Sequence, residues 1–310
     1  MDGMLHQLQS VSVNSRAIIA EMGPRIRERE KHRIAAQRVR AGSKDVWAFA
    51  VWSQDDPQFD TATDPHLIPM GFNKVAGVLP IRDVLLTHAG MCWEGYDSYI
   101  GYGRALIAGG ATDIVLVLGT PGGACQGLPE FCAEIRGWRA AGINVHAVLD
   151  NEANSAGYCV AAQADNIFIN PSALYGHCGT FSEWYDITGM LLKQGIRHGY
   201  HEMPEGGDKT WFAGDATEVS QEERDRKRER QMMPIVKHFF GLFMQDIEAG
   251  RGNRLTAEMA KATKATIYPG NSPSADGRTG IEAGLADGVA TYEQFMTALK
   301  KDDLGALEAA

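Results

Sequence analysis

Residues Ile114–Leu118 read IVLVL, an unbroken apolar run bounded by Asp113 and Gly119. A strand with no polar alternation is buried on both faces, the condition of a strand inside a helix-covered parallel sheet. The flanking segments carry the same message. Gly77–Ile81 (GVLPI), Ile143–Leu149 and Asn166–Ile169 are further candidate strands. Tyr96–Ala108, Leu128–Ala141 (ended by Gly142) and Ser155–Ala164 are candidate helices between them. Strand–helix alternation over some 90 residues predicts an α/β fold with mostly parallel strands flanked by helices. With 44% hydrophobic residues in 310, the chain can bury a sizeable core.

Three segments are expected. Residues 1–72 read as an N-terminal extension with a linker: a charged, helix-prone Arg25–Arg40, a short apolar strand candidate at Val46–Trp52, and an Asp-, Pro- and Thr-rich stretch from Gln54 to Pro69. Residues 73–300 form the main domain, and 301–310 a C-terminal tail. After Pro171 the alternation loosens. Ser220-x-x-Glu223 matches a capping box before a long helix, in which Met232, Ile235, Val236, Phe239, Phe240 and Phe243 follow helical spacing. Pro234 should kink or restart that helix. The mixed charges of Arg224–Arg230 read as a solvated face. A final αβ-like unit spans Gly280–Leu299.

Charge and composition exclude several classes. A net charge of -9 and a pI of about 5.5 disfavour a nucleic-acid surface. The five cysteines include no Cys-x-x-Cys pair, so neither a disulfide framework nor a structural zinc site is expected, and free thiols point to a reducing cytoplasm. No run approaches the roughly 18 apolar residues of a membrane span. The first residues lack the basic and apolar regions of a secretory signal. Gly207-Asp-Lys-Thr210 fails as a phosphate loop because Asp208 replaces the glycine needed before the lysine. His198 and His201 lack a supporting Cys or carboxylate pattern, so no metal and no cofactor is expected.

The chemistry-bearing residues lie on two turns. Ser155, in Asn154-Ser-Ala-Gly-Tyr158, opens a small-residue helix after a polar link, where unpaired amides, that of Ala156 first, point at anything bound. Ser155 reads either as a nucleophile or as an N-cap serine without chemistry. Thr120-Pro-Gly-Gly123 follows the IVLVL strand directly. Gly122 and Gly123 permit a backbone that can present amides to a developing oxyanion. A nucleophilic serine needs a base, and two candidates compete. Lys209, in a polar turn before the long helix, serves if desolvation lowers its pKa. His177, in Tyr175-Gly-His-Cys-Gly179, needs no such shift, and also reads as a structural histidine.

These motifs, taken in order, resemble the signal peptide peptidase A family of serine peptidases. VLGTPGGACQG matches its Pro-Gly-Gly turn. NSAGYCVAAQADNIFINPSALYGHCGT matches its nucleophile helix and the following strand. GGDKTWFAGDATEVSQEER matches its lysine segment, and GRTGIEAGLADGVATYEQFMTAL its C-terminal unit. The resemblance covers about three quarters of the chain and leans toward the phage branch of minor capsid protein C-like head maturation proteases. It implies a Clp-protease/crotonase-like fold and a Ser155–Lys209 dyad. It also implies an oxyanion hole from the amides around Gly122, Gly123 and Ala156, with no metal. As partners it implies peptide or protein substrates such as phage scaffold, portal or capsid precursors, and a homo-oligomeric ring. As location it implies the host cytoplasm or the assembling head. Where the family usually has Ser-Ile, this chain has His177-Cys178, which keeps a Ser–His arrangement open. The alternatives are a signal-peptide-degrading peptidase without its own span, a catalytically silent ring component, and a crotonase-like acyl-CoA enzyme.

Overall fold

The computed structural model describes residues 35–36, 48–51, 75–90, 94–197, 203, 205 and 220–307. Along the chain come β1 (Ala35–Ala36), β2 (Ala48–Val51), β3 (Val75–Arg82), α1 (Tyr96–Ala108), β4 (Asp113–Thr120), α2 (Leu128–Ala140), β5 (Asn144–Asn154), α3 (Ala156–Ala161), β6 (Asn166–Ile169) and β7 (Leu174–Gly176). Then follow α4 (Thr188–Lys193), α5 (Gln221–Arg251), α6 (Ala257–Ala262), β8 (Ile267–Pro269), β9 (Gly288–Val289) and α7 (Tyr292–Lys300). The chain divides into two units, one holding residues 180–241 and the other the sheet with residues 242–307 among the described residues.

The sheet runs in the order β1-β2-β3-β4-β5-β6-β9. From β2 to β9 every neighbour is parallel, as strand–helix alternation predicted; β1 alone on this path is antiparallel. Both faces are covered. Val78, Val115, Val117, Val148 and Phe168 form one buried surface with Phe295 and Leu299 of α7. The alternate residues face α1, where a β-carbon on Gly77 would lie 3.0 Å from Leu106 Cβ. Two covered faces explain why IVLVL shows no polar residue: Ile114 through Leu118 are at most 5% exposed. Truncating Phe295, fully buried between sheet and helix, would cost about 3–5 kcal/mol.

Two expectations need correction where β5 ends. The expected strand stopped at Leu149 with a polar link to Asn154, but β5 continues through Asn154. Its register against β4 steps from Leu118↔Leu149 to Thr120↔Ala153, a bulge that turns the strand away from β6. Residues 152–154 then pair with β7, a segment read from sequence only as a turn, and β7 pairs antiparallel with β8. The expected helix 155–164 ends at Ala161, because Gln163 and Ala164 donate to the third residue back (Val160 and Ala161) and tighten the chain into a turn. The C-terminal unit is as expected, with α7 started by a Thr291/Gln294 capping box.

In the unit 180–241, Ser220 Oγ accepts from the Glu223 amide at 3.3 Å. α5 passes through Pro234 without restarting. The Arg224–Arg230 run is not wholly solvated. Arg228 is buried, paired with Asp186 at 3.4 Å and Asp225 at 3.2 Å, and its guanidinium lies 4.3 Å from the Trp184 ring centroid. Arg224 also reaches Asp186, at 3.5 Å. The Asp186 carboxylate recruits these arginines inward, a tertiary contact that the charge pattern along one helix could not reveal.

Candidate active site

Ser155 stands between the end of β5 and the start of α3 at φ 51°, ψ -122°. Side chains other than glycine rarely adopt positive φ, and such conformations cluster where a strained turn aims a functional group. The surroundings hold it there. The Ser155 amide donates to Gly176 O at 2.9 Å, and its carbonyl accepts from the Cys159 amide at 3.0 Å. The side chain does not cap α3, which removes the N-cap reading. This sharp strand-to-helix turn is the geometry of a nucleophile elbow.

The Pro-Gly-Gly turn meets Ser155 from β4. Gly122 has φ 105°, and a β-carbon on it would lie 2.8 Å from Ser155 Cβ and 3.1 Å from the Ala156 amide nitrogen. A β-carbon on Gly123 would collide with the backbone of Leu85. Gly123 forms a parallel bridge with Leu85, in which Leu85 N donates to Gly122 O (2.9 Å) and Ala124 N donates to Leu85 O (2.8 Å). That ladder leaves the Gly123 N–H on the opposite side. The Gly122 N–H donates to Thr120 Oγ1 at 3.1 Å. Among the described residues, the N–H groups of Gly123 and Ala156 donate to no acceptor. Two uncommitted amides beside a serine hydroxyl are what a tetrahedral oxyanion requires.

Two side chains, Thr120 of the turn itself and Tyr96, fix this loop. Thr120 Oγ1 donates to Asp83 O at 2.5 Å while accepting from Gly122. Its methyl group fills the space where a Gly157 side chain would begin. The Tyr96 hydroxyl, at the start of α1, donates to Ala124 O at 2.7 Å, and burial holds this phenol far above its usual range. A hydroxyl residue directly before Pro-Gly-Gly was the visible signal for Thr120; nothing local marked Tyr96.

Of the two base candidates, Lys209 lies outside the described residues, as do His198 and His201. His177 follows β7 directly, and its neighbour Gly176 is the residue bonded to the Ser155 amide. It is exposed, has φ 51°, and its N–H donates to Thr266 O at 3.0 Å. The residue across from it is therefore a threonine, and no described carboxylate orients the imidazole. Before the serine, Asn154 is buried; its Nδ2 donates to Glu152 Oε2 at 3.4 Å and its Oδ1 accepts from no described residue.

One group of potential metal ligands occurs among the described residues: Cys132, Cys159 and Asp246. Asp246 is engaged by Arg136 at 3.0 Å, burial pushes the Cys159 thiol well up, and the two sulfurs lie 3.7 Å apart as free thiols. Two buried free thiols beside a carboxylate already paired with arginine are core packing rather than a ligand set. Among the described residues, no helix is long and apolar enough to cross a membrane.

Comparison with known proteins adds the family. Residues 138–305 match the family model described as peptidase family S49. A putative signal peptide peptidase SppA of Enterococcus faecium is 23% identical over 191 residues, covering 61% of this chain and 50% of that relative. The chain thus spans half the length of the curated relative it matches. Two similar solved structures are a 1510-N membrane-bound stomatin-specific protease in complex with a substrate peptide (16% identity, TM-score 0.46, 72% of this chain and 79% of that one) and a 1510-N membrane protease specific for a stomatin homolog from Pyrococcus horikoshii (14%, TM-score 0.41, 74% and 78%). The family match covers more than half of the chain and includes Ser155, the turn around it and the C-terminal αβ unit, so this chain is a member of peptidase family S49.

Proposed function

We propose that this chain is a serine endopeptidase with Ser155 as nucleophile. The observation that carries the reading is the Ser155 turn itself: a non-glycine residue at φ 51°, uncapped, packed against Gly122 and flanked by the free amides of Gly123 and Ala156. Ser155 Oγ attacks the scissile carbonyl as the base takes its proton. The oxyanion is held by Gly123 and Ala156, while Gly122 contributes the space that lets them converge. The C–N bond breaks, the amine leaves with the proton from the base, and water then hydrolyses the acyl-serine. Lys209 is the base on this reading, supported by the lysine-segment motif and by the exposed position of His177 without an orienting carboxylate.

The finer reading is a phage prohead protease that cuts scaffold, portal or capsid precursors, working as a cytoplasmic homo-oligomeric ring with residues 73–300 as its peptidase domain. Its support is the ordered set of four sequence motifs. The test is co-expression with candidate head proteins, wild type beside Ser155→Ala, followed by intact mass spectrometry. Defined products that vanish in the variant establish the activity. Products that persist in Ser155→Ala sink it.

A further inference from the structure

β5, β7 and β8 form a three-stranded corner leading to Ser155, and its two faces differ. Ala153, Tyr175 and Tyr268 stand side by side across the strands and are fully buried. The adjacent row, Glu152, Leu174 and Pro269, stands on the opposite face because successive strand residues alternate. That face is open: Leu174 is 44% exposed and Ile267 40%, and Pro269 is exposed. Glu152 sits half-buried on its inner strand, three residues before the serine. Among the described residues its carboxylate has no cationic partner, and it accepts from Asn154 Nδ2 at 3.4 Å. A partly desolvated carboxylate without a counter-charge is a cost to the folded chain that a ligand cation can offset.

We propose that this face is a substrate subsite: Glu152 selects a basic side chain of the peptide, and Leu174, Ile267 and Pro269 receive an apolar neighbour. The inference rests on the peptidase reading of Ser155. An extended peptide is the occupant because the face is built of strands, runs along the strand that ends at Ser155, and is charged oppositely to lysine or arginine. Ser155 lies three residue steps beyond Glu152, about 10 Å at roughly 3.3 Å per residue. An extended substrate has the same rise, so the selected basic residue lies about three positions from the cleaved bond.

The test uses a degenerate peptide library read by mass spectrometry, with the full chain as wild type, Glu152→Gln and Glu152→Lys. Wild type should favour Lys or Arg over Glu at that position by about fivefold in kcat/KM, the scale of one partly exposed ion pair. Glu152→Gln should flatten the preference and Glu152→Lys should invert it. Fluorophosphonate labelling of Ser155 runs alongside, because it reports the nucleophile without reading peptide sequence. Labelling in all three proteins with one unchanged cleavage profile overturns the subsite while the peptidase reading stands. Absence of labelling in wild type overturns the peptidase reading and the subsite with it. A shift of oligomeric state in Glu152→Lys with an unchanged profile makes the face a contact between copies, and also overturns the proposal.

Discussion

Gly122 and Ser155 are packed so closely that a β-carbon on the glycine would lie 2.8 Å from Cβ of the serine. The same carbon would press on the Ala156 amide nitrogen, 3.1 Å away. Gly122→Ala therefore disturbs Ser155 and the Ala156 amide together, the proposed nucleophile and oxyanion donor, and strains a backbone held at φ 105°. The expected result is a loss of kcat of about 10²-fold or more, the scale of losing one oxyanion donor. Peptide turnover, with circular dichroism to confirm the fold, checks this; a wild-type rate would remove Gly122 from the site.

The conformation of Ser155 separates two inactive variants. Ser155→Ala keeps a β-carbon at φ 51°, whereas Ser155→Gly does not. Relief of the strain outweighs the chain entropy of glycine by about 1 kcal/mol. Both variants should be inactive, with the glycine form melting about 2–4 °C higher. Equal melting temperatures would show that the turn is unstrained.

Tyr96 holds the Pro-Gly-Gly loop from a distance in sequence, through its bond to Ala124 O at 2.7 Å. Tyr96→Phe keeps the ring against Phe131, 5.8 Å between centroids, and removes that bond alone. A stability loss of about 0.5–1.5 kcal/mol is expected from urea unfolding. Kinetics should show kcat falling with KM little changed, since in the proposed mechanism the loop serves the oxyanion rather than ground-state binding. A change confined to KM would place Tyr96 in substrate binding instead.

Much of the scaffold was legible in sequence because it rests on local rules. Continuous apolar runs marked the doubly covered strands, α1 was bounded correctly, and Ser155 and Gly122–Gly123 stood out through residue type and place in the strand–helix succession. What escaped depends on long-range pairing. The extension of β5 to Asn154 requires β7, whose three residues carry no strand signal of their own. The burial of Arg228 requires Asp186, 42 residues away. The spent amide of Gly122 requires the Thr120 hydroxyl, which only the folded turn brings into reach. Sequence could name three candidate amides for the proposed oxyanion hole; the turn geometry distinguishes the two left uncommitted among the described residues.

The choice of base yields a paired prediction. His177 is exposed and its backbone pairs with Thr266, the residue just before β8, so nothing described holds its ring toward Ser155. Lys209→Ala should abolish peptide cleavage, while His177→Ala should stay close to wild type. The reverse pattern would move the base to histidine.

Asp186 gives a prediction about acid stability. The Thr188 hydroxyl bond holds its carboxyl down at about 2 against partial burial, with Arg228 and Arg224 adding to the depression. An unfolded aspartate titrates near 3.9. A group with a depressed folded pKa stabilises the fold fully above its unfolded value, and the stabilisation disappears as pH falls through the folded value. The window is therefore about pH 4 down to about pH 2. Thermal unfolding across this range should show wild type losing stability faster than Asp186→Asn, which lacks the titrating group, with the two converging near pH 2. At neutral pH Asp186→Asn should be the less stable, because Arg228 stays buried with one of its two carboxylate partners gone. A constant difference between the two proteins from pH 7 to pH 2 would mean that the Asp186 charge contributes nothing to holding this arginine cluster.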